Sequence, residues 1–278
     1  MKDKLRNKIN EIVETDFEKA LAESSIGQLD EYGNKLRVNN FAYSLRELTR
    51  HILERLAPDN SVRNAVWYKV ADPSKPTMIT RAQRIRYAIQ KGLSDDYLET
   101  LGFEADEVIK DLKSEIDNLS KYTHVNESSF GCTDEIVEKT VKAITAAFTG
   151  FVDKIKLCKN QLELDIEHSV DEEIIKKLFF DTLNDVDWLA THYEVMEYSI
   201  DSIRLTDFDN TGCCFQVEGT IHVRLQYGSD GDMKRDNGFE IYKSFPFSTS
   251  VTSTFENGKM VYDTELNELD IDTDSYWE

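Results

Sequence analysis

A chain of 278 residues that is 40% hydrophobic and 10% aromatic, with only 4 prolines and 12 glycines, has material for one large core or two moderate ones and little for a disordered linker. Its 53 acidic residues against 33 basic ones give a formal charge of -20, so the average surface repels phosphates and any nucleic-acid site must be local. No apolar run approaches the roughly 18 to 20 residues that span a bilayer, and the opening MKDKLRNKINEIVETDFEKA lacks the apolar stretch and cleavage site of a secretory signal, which predicts a cytoplasmic protein with no membrane partner.

Along the chain the helical period comes first. Phe41, Leu45, Leu48, Ile52 and Leu56 form one apolar stripe, and Val108, Ile109, Leu112, Ile116 and Leu119 form another. Thr80 before RAQRIRYAIQ and Ser94 before DDYLETLGF place side-chain oxygens where first-turn amides need acceptors. Thr133 opens a longer helix through Val137, Val141, Ile144, Phe148, Phe151 and Ile155, and a last one is predicted from residue 171 to about 189, carrying Ile174, Leu178, Phe179, Val186 and Trp188. Near residue 192 the period drops to two. Tyr198, Ile200, Ile203 and Leu205, then residues 214–227, 239–250 and a weaker stretch at 259–266, read as an antiparallel meander of about four or five strands, since their connections are too short for crossover helices.

The predicted class is therefore α+β. A helical N-terminal domain (residues 1–192) precedes a small antiparallel β domain (193–266) and an acidic C-terminal tail (267–278), in which Glu268, Asp270, Asp272, Asp274 and Glu278 accumulate and which is expected to be mobile. Exposed sheet edges leave room for a homo-oligomer. Cys132, Cys158, Cys213 and Cys214 show no Cys-x-x-Cys spacing, which argues for reduced thiols and against a zinc ribbon; neighbouring Cys213 and Cys214 should point to opposite strand faces.

Three stretches have the residue types for chemistry. Between Arg63 and Lys91 seven basic residues meet one acid, Asp72, and Arg81, Arg84, Tyr87 and Lys91 follow helical spacing; cations beside aromatics suit nucleic acid, and an intramolecular match to acidic segments is the alternative. Arg46 and His51 have the Arg-x4-His spacing seen in HEPN ribonucleases, yet five residues turn a helix through about 500°, leaving the two side chains about 140° apart; His124 sits where it would end a helix. In the loop GSDGDMKRDNG and the strand after it, Asp230, Asp232 and Glu240 could gather Mg²⁺ or Mn²⁺, with Lys243 to orient phosphate. Glu240 and Lys243 are three apart, however, which on a strand means opposite faces, and a solvated hairpin is the alternative. Gly228, Gly231 and Gly238 are expected at positive φ. No sequence pattern for an organic cofactor is present.

The segment VEGTIHVRLQYGSDGDMKRDNGFEIYKSFPF resembles the C-terminal signature of predicted nucleases associated with prokaryotic PIWI proteins, components of bacterial defence islands. FAYSLRELTRHILERLAP, TRAQRIRYAIQKGLSDDYL and IDNLSKYTHV look like the helical part of the same proteins, and are similar in pattern to HEPN-like helical domains. The matching positions in the signature are Gln226, Gly228, Ser229, Asp230, Asp232, Gly238, Ser244, Phe245, Pro246 and Phe247. What the resemblance implies is an antiphage role beside other defence proteins, as a partner- or nucleic-acid-binding protein or as a metal-dependent nuclease on invading DNA or RNA.

Overall fold

The computed structural model describes residues 2–127, 129–262 and 264–277, without the side chain of Glu265; Glu278 of the acidic tail lies outside the described residues. The chain divides into two compact units, Met1–Lys159 and Asn160–Glu278. The boundary falls inside a helix, well before the change of period at residue 192.

The first unit is helical. Its elements are α1 Lys2–Asn10, α2 Asp16–Gly27, a 3-10 turn Gln28–Asp30, α3 Arg37–Leu56, α4 Asp59–Arg63, α5 Arg81–Gln90, α6 Asp95–Thr100, α7 Asp106–Thr123 and the start of α8, Asp134–Phe180. Local chemistry sets the starts. Thr80 closes a capping box with Gln83, Ser94 accepts from the Tyr97 amide at 3.2 Å, and Thr15 closes a box with Glu18, each satisfying amides that a helix start leaves without partners. The stripe Phe41, Leu45, Leu48 and Ile52 of α3 is fully buried, and α3 packs on α7, where Ile109, Leu112, Ile116 and Leu119 are buried, and on α5, where Ile85 and Ile89 are buried, so α3 is the central helix of this unit.

α8 corrects the sequence reading. It runs 47 residues without the break expected before residue 171, because residues 156–170 contain neither Gly nor Pro and Leu162, Ile166 and Val170 carry the apolar stripe on to Ile174 and Leu178. The helix ends at Phe180, and Val186 belongs to a separate turn, α9 Asn184–Asp187.

In the second unit three long strands, β1 His192–Phe208, β2 Gly212–Tyr227 and β3 Phe239–Glu256, form an antiparallel meander. Between β2 and β3 lies α10 Asp230–Met233. Short strands β4 Lys259–Met260, β5 Glu265–Leu266 and β6 Asp270–Ile271 then pair along β3. The tail is thus held: Asp270–Ile271 joins the sheet, and after the 3-10 turn Asp274–Tyr276 the Tyr276 hydroxyl lies 2.6 Å from that of Tyr227. Cys213 is buried and Cys214 half-buried on opposite faces of β2, and all four cysteines are free.

β1 slips register three times, between Val195 and Glu197, Ile200 and Ser202, and Leu205 and Asp207. Each bulge inserts one residue and so keeps Tyr193, Val195, Tyr198, Ile200, Ile203, Leu205 and Phe208 on the face of Leu225, Val223, Ile221, Val217 and Phe215. The apolar stripe of α8 from Leu162 to Leu178 has a spacing of four, which drifts about 40° per step around the helix. Bulges increase twist, and that lets the sheet curl after a winding stripe. Tyr198 donates to Asp171 at 2.7 Å, Tyr262 to Asp165 at 2.6 Å, and the Leu205 amide to Glu163 at 2.8 Å, joining this part of α8 to the sheet.

Candidate nucleic-acid interface

The signature loop is built by its own polar residues. Ser229 caps α10: its Oγ accepts from the Asp232 amide at 3.2 Å, while the Asp232 carboxylate accepts from the Ser229 amide at 3.0 Å and binds Arg235 at 3.0 Å. Donation from the Ser229 hydroxyl, then from the Arg235 guanidinium, holds the Asp232 carboxyl below its ordinary value. Gln226, largely buried, donates to the Gly228 carbonyl at 3.1 Å and to Asp230 at 3.2 Å. Of the three glycines only Gly228 takes a positive φ, 110°. Gly231 is helical, and Asp236 supplies the other left-handed turn at φ 55°. Gly238 is needed for space, since a Cβ there would lie 2.4 Å from Met233 Sδ and 2.8 Å from the Tyr227 carbonyl oxygen. Phe245 and Phe247 are buried opposite Ile221 and Gly219, and the Phe247 ring fills the place of a Gly219 side chain; Pro246 pairs with Thr220 on the other face.

The acidic residues of this segment do not converge. Arg224 takes Glu240 at 2.8 Å and Glu194 on its other side, and Lys243 pairs in register with Val223, on the face opposite Glu240. Asp230, Asp232 and Glu240 each serve a different partner, and among the described residues no three His, Cys, Asp or Glu side chains gather at metal-binding distance. These residues do not fit a Mg²⁺ or Mn²⁺ site.

The basic island is parted by its own geometry. Tyr87 is buried against Ala57, Val62 and Ala65, leaving no ring face for a base to stack on. Lys91 turns its amine to the Leu56 carbonyl at 3.0 Å and its backbone to φ 50°, where it ends α5. Arg86 is held by Asp95 at 2.7 Å and by Asp106. These cations join helices together. Arg81 and Arg84 are placed differently.

Both line a cleft of about 250 Å³ whose opposite wall is α3, with Arg46, Glu47, Thr49, Arg50, Leu53 and Glu54; Ile79 and Ile116 complete it. Two stretches far apart in sequence, one noted for Arg-x4-His spacing and one for basic charge, meet here because α3 packs on both α5 and α7. Three of the four guanidinium groups are already oriented. Arg50 binds Glu47 at 3.0 Å and Glu54 at 2.8 Å, Arg81 binds Asp117, and Arg84 binds Asp59 and the Ala57 carbonyl. Burial opposes the Asp117 charge, yet Lys113 and Arg81 hold its carboxyl below the ordinary value. Arg46 is half-buried and, among the described residues, has neither a carboxylate nor a hydrogen-bond partner. His51 faces away from it, edge-on to Phe17 at 5.0 Å, with Arg50 3.0 Å from its Nε2; His124 takes the C-cap of α7.

A sequence signal for Arg46 existed. Its helical neighbours at three and four residues are Ala42, Tyr43, Thr49 and Arg50, none of them acidic, whereas Arg50 has Glu47 and Glu54 at those positions. That the unpaired arginine faces Arg81 and Arg84 depends on tertiary packing.

Two family models match, each described as predicted pPIWI-associating nuclease, one over residues 10–148, which contain the cleft, and one over residues 155–277, which contain the signature loop. No curated protein and no solved structure matches the chain. With the helical unit and the curled sheet each covered, the chain belongs to the predicted pPIWI-associating nuclease family.

Proposed function

We propose that this chain serves a prokaryotic antiphage defence system beside a PIWI-type protein, and that its helical unit holds nucleic acid by phosphate in the cleft of Arg46, Arg50, Arg81 and Arg84. The observation that carries the reading is the convergence of four arginines from two helices on one concavity, in a chain whose formal charge is -20. Guanidinium groups offer planar, paired donors that match phosphate oxygens, and groups already oriented by carboxylates lose little further freedom on binding. The cytoplasm is the compartment this role requires, and the reading calls for no organic cofactor.

The test is binding of fluorescent single-stranded DNA and RNA. Above about 0.15 M salt, where long-range repulsion is screened, the logarithm of the affinity should fall linearly with log salt, and Arg46→Ala should weaken binding about tenfold and reduce the slope by about one. Equal affinity and slope in wild type and Arg46→Ala would remove the cleft from the reading. Cleavage of nucleic acid is the second reading, favoured by the family description, and its metal dependence is our own addition from the acidic residues of the loop. Its test is digestion of DNA and RNA in Mg²⁺ or Mn²⁺: cleavage lost in both Asp230→Ala and Asp232→Ala would establish the loop as a metal site against its observed geometry.

A further inference from the structure

We infer that the cleft takes a terminal phosphate monoester, so that the chain grips the end of a nucleic-acid strand in preference to its interior. The inference rests on the cleft being a phosphate site at all, and three observations narrow that site to an end group. The first is size. About 250 Å³ lies below the range of roughly 300 to 1,000 Å³ for pockets that enclose drug-sized ligands, and gives room for a phosphate with part of one nucleotide.

Charge is the second. Counting the ion pairs that radiate from the cleft, six cations (Arg46, Arg50, Arg63, Arg81, Arg84 and Lys113) meet four carboxylates (Glu47, Glu54, Asp59 and Asp117), a surplus of two. A phosphate monoester carries about -1.5 to -2 at pH 7, whereas a diester carries a single charge. Third, the carboxylates that orient Arg50, Arg81 and Arg84 would stand close to the next phosphates of a strand running through the cleft. A strand that ends there presents one dianion and no neighbour on the far side. The donors fit the same ligand: among the described residues Arg46 commits none of its N–H groups, and Arg81 commits only Nη1.

The experiment compares one oligonucleotide in four forms: 5′-phosphorylated, 3′-phosphorylated, hydroxyl at both ends, and circularised. Fluorescence polarisation at about 0.15 M salt should show one phosphorylated form binding about tenfold or more tightly than the hydroxyl-ended and circular strands, with inorganic phosphate competing. Which end wins identifies the polarity. The preference should grow between about pH 5 and pH 7, as the monoester gains its second charge near pH 6, and vanish in Arg46→Gln, whose far-UV circular dichroism and Tm should match wild type. Equal binding of all four forms, still lost in Arg46→Gln, would overturn the end preference and leave the cleft a backbone site. An end preference unchanged in Arg46→Gln would place it elsewhere and overturn the inference. Binding of inorganic phosphate together with failure of all four strands to bind would overturn it too, and failure of every ligand would remove the underlying reading as well.

Discussion

Glu18 is a carboxylate with 3% of its side chain exposed, and its charge survives burial because of what surrounds it. Burial pushes its pKa up; Arg55 Nε at 2.9 Å and the amides of Glu14 and Thr15 more than offset that, so the net direction is down. A carboxyl whose folded pKa lies below its unfolded value stabilises the fold above the unfolded value, about 4.3, and loses that contribution as pH falls through the folded one. Glu18→Gln leaves Arg55 with Glu14 and the Ile12 carbonyl but without its buried partner, and also weakens the capping box at Thr15. The expected cost is about 2 kcal/mol at pH 7, read as a lower urea midpoint, and the gap between variant and wild type should narrow at about pH 3.5. An equal gap at both values would mean that packing, and not charge, holds this site.

At the scale of elements, the signature loop can be tested through the two residues that shape it. Ser229→Ala removes the α10 cap and should cost about 1 kcal/mol. Gly238→Ala drives a Cβ against Met233 and the Tyr227 carbonyl, and since backbone cannot step aside as a flexible side chain does, about 2 to 3 kcal/mol is expected. Thermal unfolding measures both, and a Gly238→Ala protein as stable as wild type would show the loop to be looser than described. These elements differ in how far the sequence revealed them. Caps at Thr80 and Ser94 were legible because the donor and acceptor lie three residues apart. The alternation of β2 was legible because one face is buried along its whole length. β1 was legible only in part: the step from Ile200 to Ile203 breaks the period of two, and its cause, a bulge, appears only against β2. α8 reads from sequence as two helices because its apolar stripe drifts around the axis, so no single face runs through all 47 residues. Nearness in sequence likewise gave Asp230, Asp232 and Glu240 no common direction, and each carboxylate has a different partner.

For the whole molecule the governing quantity is a formal charge of -20 around a local surplus of two positive charges. These act over different distances and respond to salt in opposite senses. Repulsion between the chain and a polyanion is long-range: it extends about 30 Å at 0.01 M ionic strength and about 8 Å at 0.15 M, so added salt removes it and speeds association. Contact between phosphate and arginine is short-range, and added salt weakens it by competing with counterion release. Affinity for a short oligonucleotide should therefore rise from about 0.01 M salt, pass through a maximum near 0.1 M, and fall above it. Stopped-flow measurements separate the two effects: the association rate should increase with salt over the lower range, while dissociation accelerates over the upper one, and Arg46→Ala should change dissociation far more than association. An association rate that instead falls steeply from the lowest salt would mean that the approaching strand meets a positive field, and the site of capture would then have to be sought outside the cleft.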